Sequence, residues 1–236
     1  MDLKAKAGVQ AHDLRKRLPV PDGTFDAVYS SHVLEHLTEE DGLRLLHEIC
    51  RVLKPGGVCR VAVPDLEEIC RQYLSTLEQA VEDPTEIRLQ RYRWMRLELL
   101  DQMVRQRSGG KMRIALEGGD FDPAFLKERM ADQFEHYWAK AGSADAGRRK
   151  KSISKRIKEF FSPPKPPQKS GEAHLWMYDR LSLKLVFEKA GFVSPQRCAW
   201  DESRIPNWVE ENLDRSQHGS GPRKPDSIYF EGLKAS

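Results

Sequence analysis

Residues 18–37 read LPVPDGTFDAVYSSHVLEHL, and they decide the fold class of this chain. The cluster of proline, aspartate and glycine at 19–23 predicts a turn. The apolar and aromatic run at 25–30 predicts a strand that follows the turn directly. Thr38, with Asp41 three positions later, is typical of a helix N-cap. The stretch therefore predicts a turn, a strand and the start of a helix, in that order.

The residues after Thr38 extend this pattern to a second strand. Apolar residues recur at helical spacing over 43–53. The sequence KPGG at 54–57 predicts the end of that helix, because glycine adopts the left-handed cap and proline cannot continue a helix. The run VCRVAV at 58–63 predicts a strand. A strand, a helix and a second strand predict a parallel pair joined by a right-handed crossover.

Two motifs in this region resemble those of a known family. Residues 18–37 and the run LKPGGV at 53–58 are similar to the type 11 family of class I S-adenosylmethionine-dependent methyltransferases. In that family P-D-x-x-F-D leads into the fourth strand, H-V-L-E-H follows it, and L-K-P-G-G precedes the fifth strand. The resemblance implies S-adenosylmethionine as cofactor and an α/β fold, with a Rossmann-like, doubly wound, mostly parallel sheet and an antiparallel edge strand.

The C-terminal part of the chain is similar to the same family. Asp179 or Ser182 is predicted to cap a helix that Gly191 closes. Short strands are predicted at 196–200 and 228–233, and the resemblance implies that the last two strands form the antiparallel edge of the sheet. Three motifs carry this similarity: WMYD at 176–179, KAGF at 189–192 and KPDSI at 224–228.

One motif of the family is absent from the sequence. The acidic residue and the G-x-G-x-G loop that follow the first strand of such enzymes do not occur, and no G-x-G-x-x-G is present. The glycines of that loop let the backbone approach the ligand closely. The resemblance therefore implies a sheet that lacks its first strand or strands, with residues 9–13 as a short strand. N-terminal truncation is the favoured explanation, and loss of cofactor binding is the alternative.

The resemblance assigns six residues to the cofactor. Asp13 would bind the adenine amino group, and Leu14 would lie beside it. Asp2 is interpreted as the acidic residue that ends the second strand and holds the ribose hydroxyls. The residues at the end of the fourth strand would contact the methionine and methyl end of the cofactor: Ser30, Ser31 and His32.

His36 and His32 are the candidate catalytic residues. Methyl transfer from a sulfonium mainly needs alignment of the reactants, and a base is needed only when the acceptor is a hydroxyl. Imidazole titrates near neutrality and can take that proton. The alternative is that one or both histidines hydrogen-bond the turn after the strand. Asp65 either faces the acceptor or caps a helix that begins at Leu66, and capping is the favoured interpretation.

Residues 32–36 also satisfy H-x-x-E-H, the inverted zinc-protease motif, so a zinc hydrolase is a further alternative. That chemistry needs both histidines on one face of a helix. Here the motif follows a strand directly, and the helix cap comes only at Thr38. The sequence therefore predicts no metal site.

Residues 66–173 are predicted to form a helical insertion or lid that ends in a basic, proline-rich linker. They separate two parts of the core, 1–65 and 174–236, of which the first is incomplete at its N-terminal side. Helices are predicted at 66–81 and 85–107, with a third that runs from Pro123 towards Trp138.

Two features of the insertion each leave two interpretations open. The basic stretch 148–161 predicts either peripheral contact with an anionic membrane surface or lipid-linked glycan, or a solvated run of charge before the linker. Five aromatic residues either line an acceptor pocket or pack the helices together: Tyr92, Trp94, Phe134, Tyr137 and Trp138.

Charge and cysteine content narrow the class of protein. The chain has 39 Lys and Arg against 36 Asp and Glu, a net charge of +3, and such a balance does not indicate a nucleic-acid partner. The four cysteines form no C-x-x-C pair and predict reduced thiols, which fits a cytoplasmic protein. No apolar run resembles a signal peptide or is long enough to span a bilayer.

These observations predict an S-adenosylmethionine-dependent methyltransferase that O-methylates a sugar, a glycan or another small-molecule hydroxyl. The alternative from a different class is a methyltransferase remnant that no longer binds the cofactor and serves as an interaction module.

Overall fold

The structure, a computed structural model, describes residues 8, 10–134, 167–217 and 219–236. Contacts divide the chain into two compact units. We call the first the sheet unit; it contains residues 1–68, 175–215 and 226–236. We call the second the helical unit; it contains residues 69–174 and 216–225.

The sheet unit is built on a four-stranded mixed sheet of order β1-β2-β4-β3. β1 pairs with β2 in parallel, while β4 is antiparallel to both β2 and β3. The α/β class, the parallel pair and the antiparallel edge are therefore confirmed. The sequence predicted a mostly parallel sheet, whereas only one of the three described strand pairings is parallel. The strands are β1 (Phe25–Ser31), β2 (Leu53–Pro64), β3 (Phe192–Cys198) and β4 (Ser227–Lys234).

Two helices pack their apolar faces on one side of this sheet. α1 (Glu39–Val52) connects β1 to β2, and the Thr38 hydroxyl accepts a hydrogen bond from the Asp41 amide at its start, as predicted. A second helix, Arg180–Lys189, precedes β3. Their buried side chains meet those of alternate strand positions in one core, which removes apolar surface from water. Its members include Leu45, Leu46, Ile49, Cys59, Val61, Val63, Leu183, Phe187, Ile228 and Phe230.

The segment 54–57 is not the helix cap that the sequence predicted. α1 ends at Val52, and β2 begins at once, with Leu53 opposite Phe25. Ala27 then lies opposite Val58, so five positions of β2 match two of β1. The KPGG sequence therefore forms a bulge inside β2, with the left-handed φ of +75° at Gly56 supplied by glycine. Leu53 is the C-cap of α1, with its amide bonded to the Ile49 carbonyl, and it also pairs with Phe25 as the first residue of β2.

The prediction of a strand at 9–13 is wrong for residues 10–13, which are the ones that the structure describes. Ala11 makes an isolated bridge, and residues 12 and 13 have no strand assignment. A strand needs a neighbour for its backbone groups, and within the described residues β1 is the last strand on its side of the sheet. Towards the C-terminus, β3 begins four residues before the predicted 196, because residues 192 and 193 pair with the end of β4.

The cap of the second helix gives a stability prediction. Asp179 accepts hydrogen bonds from the amides of Leu181 at 2.9 Å and Ser182 at 2.8 Å, and the Ser182 hydroxyl completes a capping box. Replacing Asp179 with alanine is expected to lower the free energy of unfolding by about 1 kcal/mol. The hydrogen bond from the Ser182 amide lowers the pKa of Asp179 below its ordinary value. Burial acts in the opposite direction but has the smaller effect.

The effect of Asp179→Ala should depend on pH, which serves as its check. A carboxylate with a lowered pKa stabilises the folded state above the pKa of the unfolded chain, about pH 4. That contribution is lost as the pH falls through the folded pKa. Urea unfolding should therefore show the deficit at pH 7 and a shrinking one below pH 4. Asp179→Asn keeps a capping oxygen, and an equal deficit in that variant would argue against the cap.

Gly232 in β4 sits where no side chain fits. A Cβ at this position would lie 2.6 Å from Cδ1 of Phe187 and 2.9 Å from Cβ of Phe192. We expect Gly232→Ala to destabilise the protein by about 1–3 kcal/mol through overpacking. Gly118→Ala is the matched control, since its added Cβ would meet nothing within 4 Å. Equal unfolding midpoints for the two variants would contradict the close packing at Gly232.

The helical unit confirms the predicted α-helical character of its region. The helices predicted at 66–81 and 85–107 form as Leu66–Glu82 and Glu86–Val104, whereas the one predicted from Pro123 ends at Met130 because Ala131 adopts a φ of 42°. Trp94, Met95 and Leu126 are fully buried. Trp94 thus packs in the core, while Tyr137, Trp138 and the basic stretch 148–161 lie outside the described residues. Within the described residues, the helices after α1 include α2 (Leu66–Glu82), α3 (Glu86–Val104), α4 (Gly110–Gly118), α5 (Pro123–Met130), α6 (Pro167–Ser170), α7 (Arg180–Lys189) and α8 (Trp208–Glu211).

Within the described part of the chain, no helix has both the length and the apolar character of a membrane span.

Candidate functional site

The ends of β1 and β2 and the start of β4 lie at one edge of the sheet. β1 and β2 run in parallel, so Ser31 and Pro64 end at the same edge. β4 is antiparallel to β2, and its first residue, Ser227, pairs with Pro64 at that edge. In open α/β sheets, ligands bind in the crevice beyond the carboxyl ends of the strands. The residues that follow β1 and β2 are therefore the candidate site.

His32 is the first residue beyond β1, as the sequence predicted. Its amide donates to the Ala62 carbonyl at 2.8 Å, which closes the parallel ladder. Its φ of 52° lies in the left-handed region, which is uncommon for a residue with a side chain. Its ring contacts two side chains, with Nε2 2.9 Å from Ser227 Oγ and Nδ1 3.0 Å from Glu35 Oε1. Such a backbone outlier often accompanies a functional site.

Glu35 and His36 lie in a single 3₁₀ turn, Leu34–His36, between β1 and α1. The Glu35 side chain is 1% exposed, and its Oε1 is 4.0 Å from Nε2 of His36. The carbonyl of Glu35 accepts hydrogen bonds from the amides of Leu175 and Trp176 at 2.7 and 3.2 Å. The turn is thereby fixed to the segment that precedes α7. One buried carboxylate thus stands between two partly exposed imidazoles.

This geometry also bears on the H-x-x-E-H motif. The zinc chemistry requires a helix that presents both histidines on one face. His32 instead ends a strand, and the following helical turn spans only Leu34–His36. The local structure of residues 32–36 therefore does not favour the zinc-hydrolase alternative.

Asp65, the residue after β2, acts as a helix cap. Its Oδ1 accepts a hydrogen bond from the Glu68 amide at 3.2 Å, at the start of α2. Its own amide donates to the Asp226 carbonyl at 2.8 Å, and its Oδ2 lies 3.4 Å from an Arg197 guanidinium nitrogen. Burial raises the pKa of Asp65 despite these partners. The capping interpretation is thus confirmed, and the same residue ties β2 to the start of β4.

The remaining predicted site residues are spread over two places. Ser30 and Ser31 are partly exposed at the end of β1, opposite Val61 and Ala62. Asp13 lies in the N-terminal segment, where both of its oxygens contact the Arg15 side chain at 2.9 and 2.8 Å. That hydrogen bonding lowers the pKa of Asp13 to about 2. The last two are Leu14, half-buried against the core, and Asp2, which lies outside the described residues.

The face of the sheet opposite to α1 and α7 carries a buried cluster of charged side chains, which the sequence motifs did not predict. Arg60, fully buried in β2, contacts Asp214 at 3.0 Å and Glu231 at 2.9 Å. Its guanidinium also lies 4.2 Å from the ring centre of Trp208. Burial would raise the pKa of Glu231, but hydrogen bonds from Ser203, the Arg204 amide and Arg60 hold it below its ordinary value. An arginine inside an otherwise apolar strand was the available signal, because such a residue must find buried partners.

The cluster also fixes the segment before β4. Arg60 donates to three backbone carbonyls there, and Cys198 Sγ is 3.0 Å from its Nη1. Burial raises the pKa of Cys198 to about 11. All four cysteines are free thiols, as predicted. The carbonyls belong to Ala199, Trp200 and Glu202.

Comparison with known proteins finds a family match for residues 2–61. Residues 2–61 match the family model of the type 11 methyltransferase domain. A stretch of 42 residues is 50% identical to the ubiquinone/menaquinone biosynthesis C-methyltransferase UbiE of Chromobacterium violaceum, covering 18% of this chain and 16% of that protein. The segment 2–61 is thus similar to the type 11 methyltransferase domain, as its motifs predicted.

Two solved structures are similar at low identity. A methyltransferase in complex with the Trm112 methyltransferase activator of Haloferax volcanii is 15% identical, with a TM-score of 0.37 over 96% of this chain and 61% of that one. An S-adenosylmethionine-dependent methyltransferase of Thermotoga maritima is 15% identical, with a TM-score of 0.36 over 95% of this chain and 63% of that one. In all of these comparisons the chain spans less than two thirds of the relative's own length.

Proposed function

We propose that this protein is an S-adenosylmethionine-dependent methyltransferase that O-methylates a sugar, a glycan or another small-molecule hydroxyl. One observation carries the proposal. Within the segment matched to the methyltransferase family, His32 and His36 follow the carboxyl end of β1 and flank one buried carboxylate. Two imidazoles at a sheet edge suit an acceptor that must lose a proton, as a hydroxyl must.

The chemistry of methyl transfer determines which role falls to the cofactor and which to the side chains. S-adenosylmethionine, when bound, supplies a methyl group already activated on a sulfonium. The chain has to align the acceptor with that methyl and remove the hydroxyl proton. We assign proton removal to His32 or His36, since both rings are partly exposed, at 13% and 26% of the side chain. Glu35, buried between them, stabilises whichever imidazole becomes positively charged.

The described residues supply part of a cofactor site. Ser30, Ser31 and His32 offer polar groups at the end of β1, where we place the methyl end. Asp13, with its pKa of about 2, is ionised at neutral pH. A carboxylate has about four acceptor positions, so Asp13 can hold Arg15 and still accept from an adenine amino group. Leu14 would pack beside the adenine, and Asp2 would hold the ribose hydroxyls.

Calorimetry with S-adenosylhomocysteine tests the cofactor assignment. We expect saturable binding by the full chain, and binding about tenfold weaker in Asp13→Ala, the loss of roughly one hydrogen bond to a charged group. Asp26→Ala is the matched control, because Asp26 is an exposed aspartate whose carboxylate contacts only Lys54 among its described partners. A chain that is folded by circular dichroism and binds no S-adenosylhomocysteine would instead support the interaction-module alternative.

The acceptor class needs a second experiment. Tritiated methyl transfer from S-adenosylmethionine should be measured with panels of sugars, simple alcohols, amines and thiols. Methylation that is confined to hydroxyl compounds supports the proposal. Methylation of amines or thiols alone would show that the acceptor class is wrong while leaving the cofactor assignment in place.

A further inference from the structure

Three polar side chains are in contact at the carboxyl edge of the sheet, joined by one hydrogen bond and one ion-pair contact. Ser227 Oγ is 2.9 Å from His32 Nε2, and His32 Nδ1 is 3.0 Å from Glu35 Oε1. Ser227 is 8% exposed and Glu35 is fully buried. Each residue comes from a different element, namely the start of β4, the end of β1 and the 3₁₀ turn. The fold, rather than flexible surface side chains, therefore brings the three together.

The partners decide which ring nitrogen of neutral His32 carries the proton. An ionised carboxylate can only accept a hydrogen bond. With Glu35 ionised, its Oε1 at 3.0 Å favours the tautomer of His32 that carries the proton on Nδ1. Nε2 is then left as the acceptor, and the Ser227 hydroxyl donates to it. A carboxylate that fixes the tautomer of a histidine also stabilises the imidazolium that forms when the other nitrogen takes up a proton.

The backbone supports the same arrangement. His32 is held at a φ of 52° while its amide bonds to the Ala62 carbonyl. The Asp65 amide bonds to the Asp226 carbonyl, which fixes the residue before Ser227. His32 is thus anchored on strand β2, and the residue before Ser227 is bonded to Asp65, which directly follows β2. A strained backbone that persists under such anchoring points to a role for the side chain it presents.

We propose that Ser227 relays the acceptor's proton to His32 Nε2 and that Glu35 positions the His32 imidazole for this transfer, roles that rest on the proposed function. As the acceptor oxygen bonds to the methyl carbon, its proton passes to Ser227 Oγ. The proton that Ser227 held passes to His32 Nε2, which regenerates the hydroxyl. The broken carbon–sulfur bond leaves its electron pair on sulfur. Glu35 stabilises the imidazolium produced at His32.

The tautomer can be measured without any substrate. The chain has 7 histidines, so ¹⁵N-histidine spectra of the wild type and of His32→Gln assign the His32 signals by difference. We expect a protonated Nδ1 and an unprotonated Nε2 for neutral His32. Ser227→Ala should shift the Nε2 signal and leave Nδ1 protonated, and Ser227→Thr should restore it. Glu35→Gln, nearly identical in shape, should move proton population towards Nε2.

Three results would overturn the assignment: a His32 protonated on Nε2 in the wild type, spectra that are unchanged in both Ser227→Ala and Glu35→Gln, or a Ser227→Ala variant with full kcat. Ser75→Ala, an exposed serine on α2, is the matched control. In active protein we expect Ser227→Ala to lower kcat about tenfold or more, with S-adenosylhomocysteine binding unchanged and Ser227→Thr largely active. If the wild type binds no S-adenosylhomocysteine while the spectra are as expected, the proposed function fails and the His32 tautomer stands.

Discussion

Replacing Arg60 with methionine is expected to lower the free energy of unfolding by about 3–5 kcal/mol. Methionine fills a similar volume, but Asp214 would be left as a buried carboxylate without the Arg60 cation, and of its described ion pairs Glu231 would keep only the one with Arg204. An unpaired buried charge is far more unfavourable than an absent pair, because its desolvation is no longer offset by Coulombic attraction. Urea unfolding followed by tryptophan fluorescence measures the change, since Trp208 lies beside the Arg60 guanidinium.

Two further variants separate charge from shape in this cluster. Arg44→Met removes an exposed pair with Asp41 and should change stability by at most about 1 kcal/mol. Arg60→Met combined with Asp214→Asn and Glu231→Gln removes the stranded charges, so it should recover part of the loss. If Arg60→Met were as stable as Arg44→Met, the cluster would contribute little to the stability of the sheet unit.

The second large effect is expected at the candidate base. His32→Gln should reduce kcat for hydroxyl methylation by about 10²–10⁴-fold, the usual contribution of a positioned general base. His36→Gln should have the smaller effect, because Nε2 of His36 lies 4.0 Å from Glu35 Oε1, whereas Nδ1 of His32 lies 3.0 Å from that oxygen and Nε2 of His32 is 2.9 Å from Ser227 Oγ. Tritiated methyl transfer into the hydroxyl acceptor found in the panel gives both rates.

Binding and stability measurements show whether a lower rate comes from loss of cofactor binding or of folding instead of loss of the base. S-adenosylhomocysteine affinity and the unfolding midpoint should be measured for both histidine variants, so that a lower rate can be assigned to proton removal. A His32→Gln variant with normal binding and a normal rate would remove His32 from the mechanism. A large loss in His36→Gln alone would transfer the role of base to His36.

Local sequence signals predicted the elements around the site well. The N-caps at Thr38 and Asp179 act over three residues, and both form as expected. The strand at 25–30 and the one at 228–233 appear within one residue of those bounds at each end. The position of His32 just beyond β1 also followed from the order of strand and helix signals. In each case the deciding interactions are between near neighbours in the chain.

Other features depend on pairings that no local pattern specifies. Ser227 meets His32 only because β4 pairs with β2, so a partner 195 positions away completes the imidazole's hydrogen bonds. The bulge at 54–57 exists because Leu53 pairs with Phe25 and Val58 pairs with Ala27, which leaves the residues between them without matching partners. The charge cluster requires Arg60 and Glu231 to be opposite each other in that same antiparallel register. Register is a property of the assembled sheet, and the sequence of one strand does not contain it.

The pairing of β2 with β4 has a consequence for the order of folding. Val58 of β2 pairs with Leu233 of β4. The pairing of these two central strands therefore cannot form until almost the whole of the described chain has been synthesised. Helices such as α2 and α3 need only contacts between near neighbours and can form during translation. Until β4 arrives, one edge of β2 remains open to association with other chains. Ribosome-bound intermediates should thus carry formed helices while the sheet is still incomplete.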